Sequence, residues 1–163
     1  MNALAVIAVL FTLGSGLLFV VLLRRLGHLK PNIVRLQLTF RPKSFRKILG
    51  LWEEAGVHRY RSTFALDHAF LICYAIAGAA GGAWLASRVE NPSFSRDCLP
   101  WLLPAAAAFD AVENKLHQVL VARPPGGQPG SMFLAAGVSA SAKWALLLVA
   151  VPVALHAWLG SAA

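Results

Sequence analysis

Four apolar runs, each long enough to cross a lipid bilayer, dominate this chain of 163 residues. They lie at about residues 3–23, 64–86, 99–122 and 132–159. A helix needs about 20 residues to cross the roughly 30 Å of hydrocarbon in a bilayer. Only 13% of the residues are charged and 58% are apolar, whereas a soluble domain has about 25% charged residues. The sequence therefore predicts one all-α domain, an integral membrane four-helix bundle.

The positive charge of the chain is concentrated between the first two apolar runs. The loop at 24–63 holds ten of the fifteen Lys and Arg residues and two acids, Glu53 and Glu54, so it carries the whole net charge of +8. Basic loops beside membrane spans stay in the cytoplasm. We therefore expect a multi-pass protein of the inner membrane with both termini in the periplasm. A basic loop placed in this way favours anionic lipid as a partner and disfavours nucleic acid.

Features at the ends of the runs agree with this topology. The first run is followed by Arg24 and Arg25 and not by a small-residue cleavage site, so we interpret it as a retained anchor. Tryptophan prefers the membrane–water interface, and Trp84, Trp101 and Trp158 all fall at the predicted periplasmic boundary.

The basic loop itself has two patterned segments. Apolar residues with helical spacing in Lys43–Ala55 predict an amphipathic interfacial helix that ends at Gly56, and this spacing is shown by Phe45, Ile48, Leu49 and Trp52. We expect this helix to lie on the cytoplasmic leaflet with Arg46 and Lys47 near the phosphates of anionic lipid. Before it, Val34–Phe40 alternates between apolar and polar residues, which indicates an extended link.

Ionisable side chains inside the runs are costly in lipid and therefore informative. One face of the third run holds residues spaced i, i+3, i+4, i+7, namely Asp110, Glu113, Asn114 and His117. If Trp84 and Trp101 are level, Asp67 of the second run lies level with His117 and Tyr74 with Asp110. Lys143 of the fourth run falls near the same depth, and a lysine there needs a carboxylate. An Asp110–Lys143 pair is predicted.

Three interpretations of these polar residues stay open. They are hydrogen bonds and an ion pair that hold the helices together, a pocket in which a carboxylate and His117 exchange protons with a hydrophobic or lipid-like ligand, or a metal site. The metal site is disfavoured because the Glu-x-x-His pairs of dimetal bundles are absent, and no cofactor is predicted. A proton-coupled transporter subunit is a further alternative, although no internal repeat supports it. Enzymatic activity and homo-oligomerisation are left open. Gly78 and Gly82 have the spacing of helix-packing positions.

Several short motifs resemble those of a family of small, uncharacterised bacterial four-span integral membrane proteins. They are Leu36-Gln-Leu38, Phe45-Arg-Lys-Ile-Leu49 with Trp52, Leu66-Asp67 with Phe70 and Tyr74, Phe109-Asp-x-x-Glu-Asn114, and Lys143-Trp144. The resemblance implies the four-span architecture and singles out Asp67, Asp110, Glu113 and Asn114, but it implies no activity. The start of the loop helix, Arg41-Pro-Lys, departs from the Thr-Pro-acid pattern of that family. More loosely, the loop helix and the intramembrane acids are similar in arrangement to the sterol-isomerase and sigma-2-receptor superfamily.

Overall fold

The computed structural model describes residues 2–89, 94–122 and 127–160. Within these ranges the protein is an all-α bundle with six helices and no strand. In chain order the helices are α1 (Ala3–Leu26), α2 (Ile33–Gln37), α3 (Pro42–Arg61), α4 (Phe64–Ala86), α5 (Phe94–Ala122) and α6 (Gly130–Gly160). α4 has the limits predicted for the second apolar run. α1, α5 and α6 extend beyond the limits predicted for the first, third and fourth runs.

The four long helices pack in chain order. α1 lies against α4, α4 against α5, and α5 against α6, with few contacts between α4 and α6. Three of them, α1, α4 and α6, are long and apolar enough to cross a membrane. α5 lies between α4 and α6, so its polar face has an apolar helix on each side.

Close approach of α4 to α5 depends on two glycines. A Cβ atom added at Gly78 would overlap the side chain of Leu103, and one added at Gly82 would overlap the backbone at Leu99 and Pro100. The prediction that both are packing positions is confirmed. At this end of the bundle Trp84 and Trp158 also approach, with 6.4 Å between their ring centroids, so the ends of α4 and α6 are level.

The segment before α3 is helical and not extended. The alternation in Val34–Phe40 led to a wrong prediction, because Ile33–Gln37 forms α2. The side chain of Asn32 caps this helix by accepting a hydrogen bond from the backbone N–H of Arg35 at 3.1 Å. A local cap of this kind favours the start of a helix and acts independently of the apolar period of the residues that follow.

α3 also differs from its prediction at its end. It continues through Gly56 to Arg61, with a kink at Glu53, whose φ of 56° and ψ of −178° are not helical. Gly56 does not stop the helix. It is buried because the side chains of Trp52 and Leu29 pack closely over it.

The apolar face of α3 packs on protein, which corrects the expectation that it lies on lipid. Phe45, Ile48 and Trp52 are at most 6% exposed and form one core cluster with residues of α5 and α6. Trp52 Nε1 donates a hydrogen bond to the Pro31 carbonyl at 2.7 Å. Arg46 also faces the bundle, since its guanidinium is 3.4 Å from Gln128 Oε1. We call residues 29–61, which cover one end of the bundle, the cap.

Candidate functional site

The polar face of α5 is fully enclosed. Asp110, Glu113, Asn114 and His117 are each at most 4% exposed. Their helical spacing puts them on one side of α5, and that side lies between α4 and α6. Residues on the opposite side, such as Val112 and Lys115, are exposed. The predicted polar face therefore exists, and it is buried in the bundle.

Lys143 of α6 reaches two carboxylates of α5. Its Nζ atom lies 3.0 Å from Asp110 Oδ1, which confirms the predicted pair. It also lies 2.6 Å from Glu113 Oε2, a contact that was not predicted. Neither oxygen of Glu113 has a partner with good hydrogen-bond geometry. The contact of Lys143 with Glu113 therefore meets the distance for an ion pair but not the geometry of a hydrogen bond.

The three charged groups do not balance. Lys143 carries one positive charge, whereas Asp110 and Glu113 together carry two negative charges when both are ionised. All three side chains are at most 6% exposed, and an uncompensated charge in such a place costs several kcal/mol. The cluster therefore has room for one more positive charge, either a proton or a cationic group.

Tyr74 and Asp67 of α4 complete the side of the cluster that faces this helix. The Tyr74 hydroxyl donates a hydrogen bond to Asp110 Oδ2 at 3.2 Å, as the level matching predicts. Asp67 is only half-buried. It lies within range of the Asn114 side chain, although Asn114 Nδ2 has no partner with strict hydrogen-bond geometry, and no contact of Asp67 with His117 is found in the described residues.

Tyr60 of the cap is a member of the cluster that sequence reasoning missed. Its hydroxyl shares a hydrogen bond of 2.8 Å with His117 Nδ1, and Glu113 Oε1 lies 3.7 Å from the same nitrogen. Burial, followed by the nearby charge of Glu113, raises the pKa of the Tyr60 hydroxyl well above its usual value. One signal was present, because Tyr60, Asp67 and Tyr74 are spaced by seven residues. This spacing was not recognised because Tyr60 lies before the start of the second apolar run at Phe64, whereas Asp67 and Tyr74 lie within it.

These contacts form one continuous chain of polar groups across three helices and the cap. It runs from Tyr60 through His117, Glu113, Lys143 and Asp110 to Tyr74. Each link is at most 3.7 Å long. In the described part of the chain no group of three or more His, Cys, Asp or Glu side chains is arranged to hold a metal ion.

An apolar cleft adjoins the end of this chain at Tyr74. It has a volume of about 180 Å³ and lies between α4, α5 and α6, lined by small and aliphatic side chains that include Gly81, Leu103 and Ala150. Its lining includes Ala77, one turn of α4 beyond Tyr74, and Leu103, which also packs against the core cluster that contains Tyr74. None of the polar residues described above lines the cleft itself.

Comparison with protein-family models, with curated proteins and with solved structures finds no match to this chain. The family resemblance carried by the short motifs thus stays a prediction.

Proposed function

We propose that this protein is a multi-pass protein of the inner membrane that holds a hydrophobic or lipid-like ligand against the polar cluster of α5. The observation that carries the proposal is the excess of one carboxylate over the buried ammonium of Lys143, next to an apolar cleft. A cluster with spare negative charge offers hydrogen-bond acceptors to the polar end of a ligand, and the cleft accepts its apolar part.

In this proposal α5 also crosses the membrane, as the third of four spans in chain order. Its low hydropathy comes largely from the buried residues Asp110, Glu113, Asn114 and His117, whereas Trp101, Phe109 and Val112 on its outer side are apolar and exposed. Ionisable groups inside a membrane are tolerated in such an arrangement. The basic cap then lies in the cytoplasm, and both termini lie in the periplasm.

The cap keeps a basic surface for anionic lipid even though its apolar face is taken. Lys43 and Lys47 are exposed, whereas Arg46 packs over Phe133 with 5.9 Å from its guanidinium carbon to the ring centroid. We therefore assign the proposed lipid contact to the two lysines, with a smaller part for Arg46. Such contacts are worth about 1 kcal/mol for each basic residue near the surface.

The ligand proposal is tested by filling the cleft. Ala150→Leu adds a branched side chain to the cleft, and Ala145→Leu adds the same atoms at an exposed position of the same helix. Each protein is purified in mild detergent, and its retained small molecules are identified by native mass spectrometry. The wild type and Ala145→Leu are expected to retain the same lipid-like species, and Ala150→Leu is expected to lose it.

Equal retention by both variants, or retention of detergent alone by the wild type, would refute the ligand proposal. Glu113→Gln gives the second arm, because it removes the excess negative charge and keeps the shape of the side chain. It is expected to lose the ligand while the thermal stability in detergent changes little.

A second candidate function is purely structural, with the cluster serving to hold the helices together. Its support is the completeness of burial, since Glu113, Asn114 and His117 are at most 1% exposed. If Glu113→Gln unfolds the protein as severely as Lys143→Ala, and no ligand is found in the wild type, this candidate replaces the first.

A further inference from the structure

The link between Tyr60 and His117 joins the buried carboxylates to the cap side of the bundle. His117 Nδ1 lies between the Tyr60 hydroxyl, at 2.8 Å, and Glu113 Oε1, at 3.7 Å. Tyr60 in turn packs against Phe64, with 4.9 Å between the ring centroids and 56° between the ring planes. Phe64 lines an open surface cleft of about 570 Å³ together with Arg61, His68 and Gln118. One aromatic ring therefore separates Tyr60 from a surface cleft whose lining is largely apolar but includes Arg61, His68 and Gln118.

We propose that Asp110 and Glu113 share one exchangeable proton and that Tyr60 is the gate through which this proton passes to and from the cap side. When no cationic group is bound, the proton supplies the positive charge that Lys143 alone does not provide for two carboxylates. This inference concerns the same cluster as the proposed function but needs no ligand. Loss of ligand in Ala150→Leu therefore leaves it intact.

The transfer balances in two steps. In the tautomer of His117 that is protonated at Nε2, the Tyr60 hydroxyl passes its proton to Nδ1 while it takes one from a hydronium ion, which leaves as water. This ion comes from the surface cleft when the Phe64 ring moves aside, since Phe64 and not Tyr60 lines the cleft. The imidazolium then gives the Nδ1 proton to the Glu113 carboxylate and becomes neutral again. The second step needs the 3.7 Å separation of Nδ1 and Oε1 to shorten by roughly 0.7 Å, to a normal hydrogen-bond length.

The titratable groups in and around the cluster are the groups that can exchange the proton. They come from the cap, α4, α5 and α6 and are Tyr60, Asp67, His68, Tyr74, Asp110, Glu113, His117 and Lys143. Tyr74 contacts Asp110 at the far end of the chain of groups. Its removal would change the surroundings of Asp110 directly, so the control for Tyr60 is a hydroxyl outside the cluster.

The test is infrared spectroscopy of the purified protein in phosphatidylcholine vesicles at neutral pH. The wild type is expected to show a protonated carboxyl band. Asp110→Asn and Glu113→Gln are each expected to abolish it, because either change leaves one carboxylate for one ammonium, and Asp67→Asn is expected to keep it. Absence of the band in the wild type, or its persistence in both Asp110→Asn and Glu113→Gln, overturns the shared proton.

The gate is tested by the rate at which this band shifts after transfer to D₂O. Tyr60→Phe keeps the aromatic ring that packs on Phe64 and removes only the hydroxyl. We expect it to slow the shift by on the order of a hundredfold, the low end of what a positioned proton-transfer group contributes. Ser141→Ala removes a hydroxyl that bonds to the Gly137 carbonyl of its own helix, and it should leave the rate unchanged. An unchanged rate in Tyr60→Phe, or equal slowing in Ser141→Ala, shows that the proton takes another route.

Discussion

Tyr60 and His117 form a hydrogen bond of 2.8 Å between the cap and the interior of the bundle. The two residues are far apart in the sequence and belong to helices that make few contacts with each other. Both side chains are at most 3% exposed. The bond therefore connects the cap, which the sequence predicts to lie at the membrane interface, with the polar cluster inside the bundle.

This bond predicts a loss of stability at high pH. The pKa of Tyr60 is raised in the folded protein, so the folded state holds this proton more tightly than the unfolded state does. The stabilisation is complete below the unfolded pKa of about 10 and is lost as the pH rises through the folded value. Tyr60→Phe should flatten this alkaline decline in thermal stability, measured from about pH 9 to about pH 11, one unit either side of that pKa. An equally steep decline in Tyr60→Phe would contradict the assignment.

The second prediction concerns Lys143. Lys143→Ala leaves two buried carboxylates without an ammonium group, and loss of one partner of a buried pair costs about 3–5 kcal/mol. Removing the charges from all three residues, with Asp110→Asn, Glu113→Gln and Lys143→Met together, should recover much of this loss. Equilibrium unfolding in detergent measures both. If the triple variant is no more stable than Lys143→Ala, the cost lies in lost packing and not in charge.

The third prediction concerns the packing of the cap. Phe45 is 1% exposed, between His117 and Phe133, so Phe45→Ala should destabilise the protein by about 3–5 kcal/mol. Leu51 on the other side of α3 is 57% exposed, and Leu51→Ala should cost about 0.5 kcal/mol or less. If the apolar face of α3 lay on lipid instead, Phe45→Ala would weaken binding of the cap to vesicles and leave the unfolding free energy nearly unchanged.

The fourth prediction uses the kink at Glu53. Its φ of 56° with an extended ψ of −178° is a conformation that glycine adopts far more readily than other residues. Glu53→Gly should therefore stabilise the protein by about 1 kcal/mol or leave it unchanged. The neighbouring Glu54 lies in the helix, so Glu54→Gly should destabilise by about 1 kcal/mol. In thermal unfolding Glu54→Gly should lower the melting temperature and Glu53→Gly should not, and a parallel loss in both would argue against the kink.

Much of the bundle was predictable because helical periodicity is a local property. The limits of α4 and the inward face of α5 follow from runs of about 20 apolar residues and from a spacing of 3.6 residues per turn. The level matching of α4 with α5 then followed from two tryptophans, and it placed Tyr74 beside Asp110. Depth in the bundle was enough to predict that Lys143 meets Asp110.

What the sequence did not determine is where the apolar face of the cap is buried. Lipid and protein remove the same side chains from water, so the stripe of Phe45 and Trp52 predicts a buried face without naming what covers it. Asp110 and Glu113 lie one helical turn apart, and a lysine side chain can reach either of them. The sequence therefore could not determine which of the two Lys143 contacts. Tyr60 enters the cluster only because the chain turns back after α3 and the cap closes over His117. These choices depend on side chains distant in sequence coming together, and only the tertiary structure decides them.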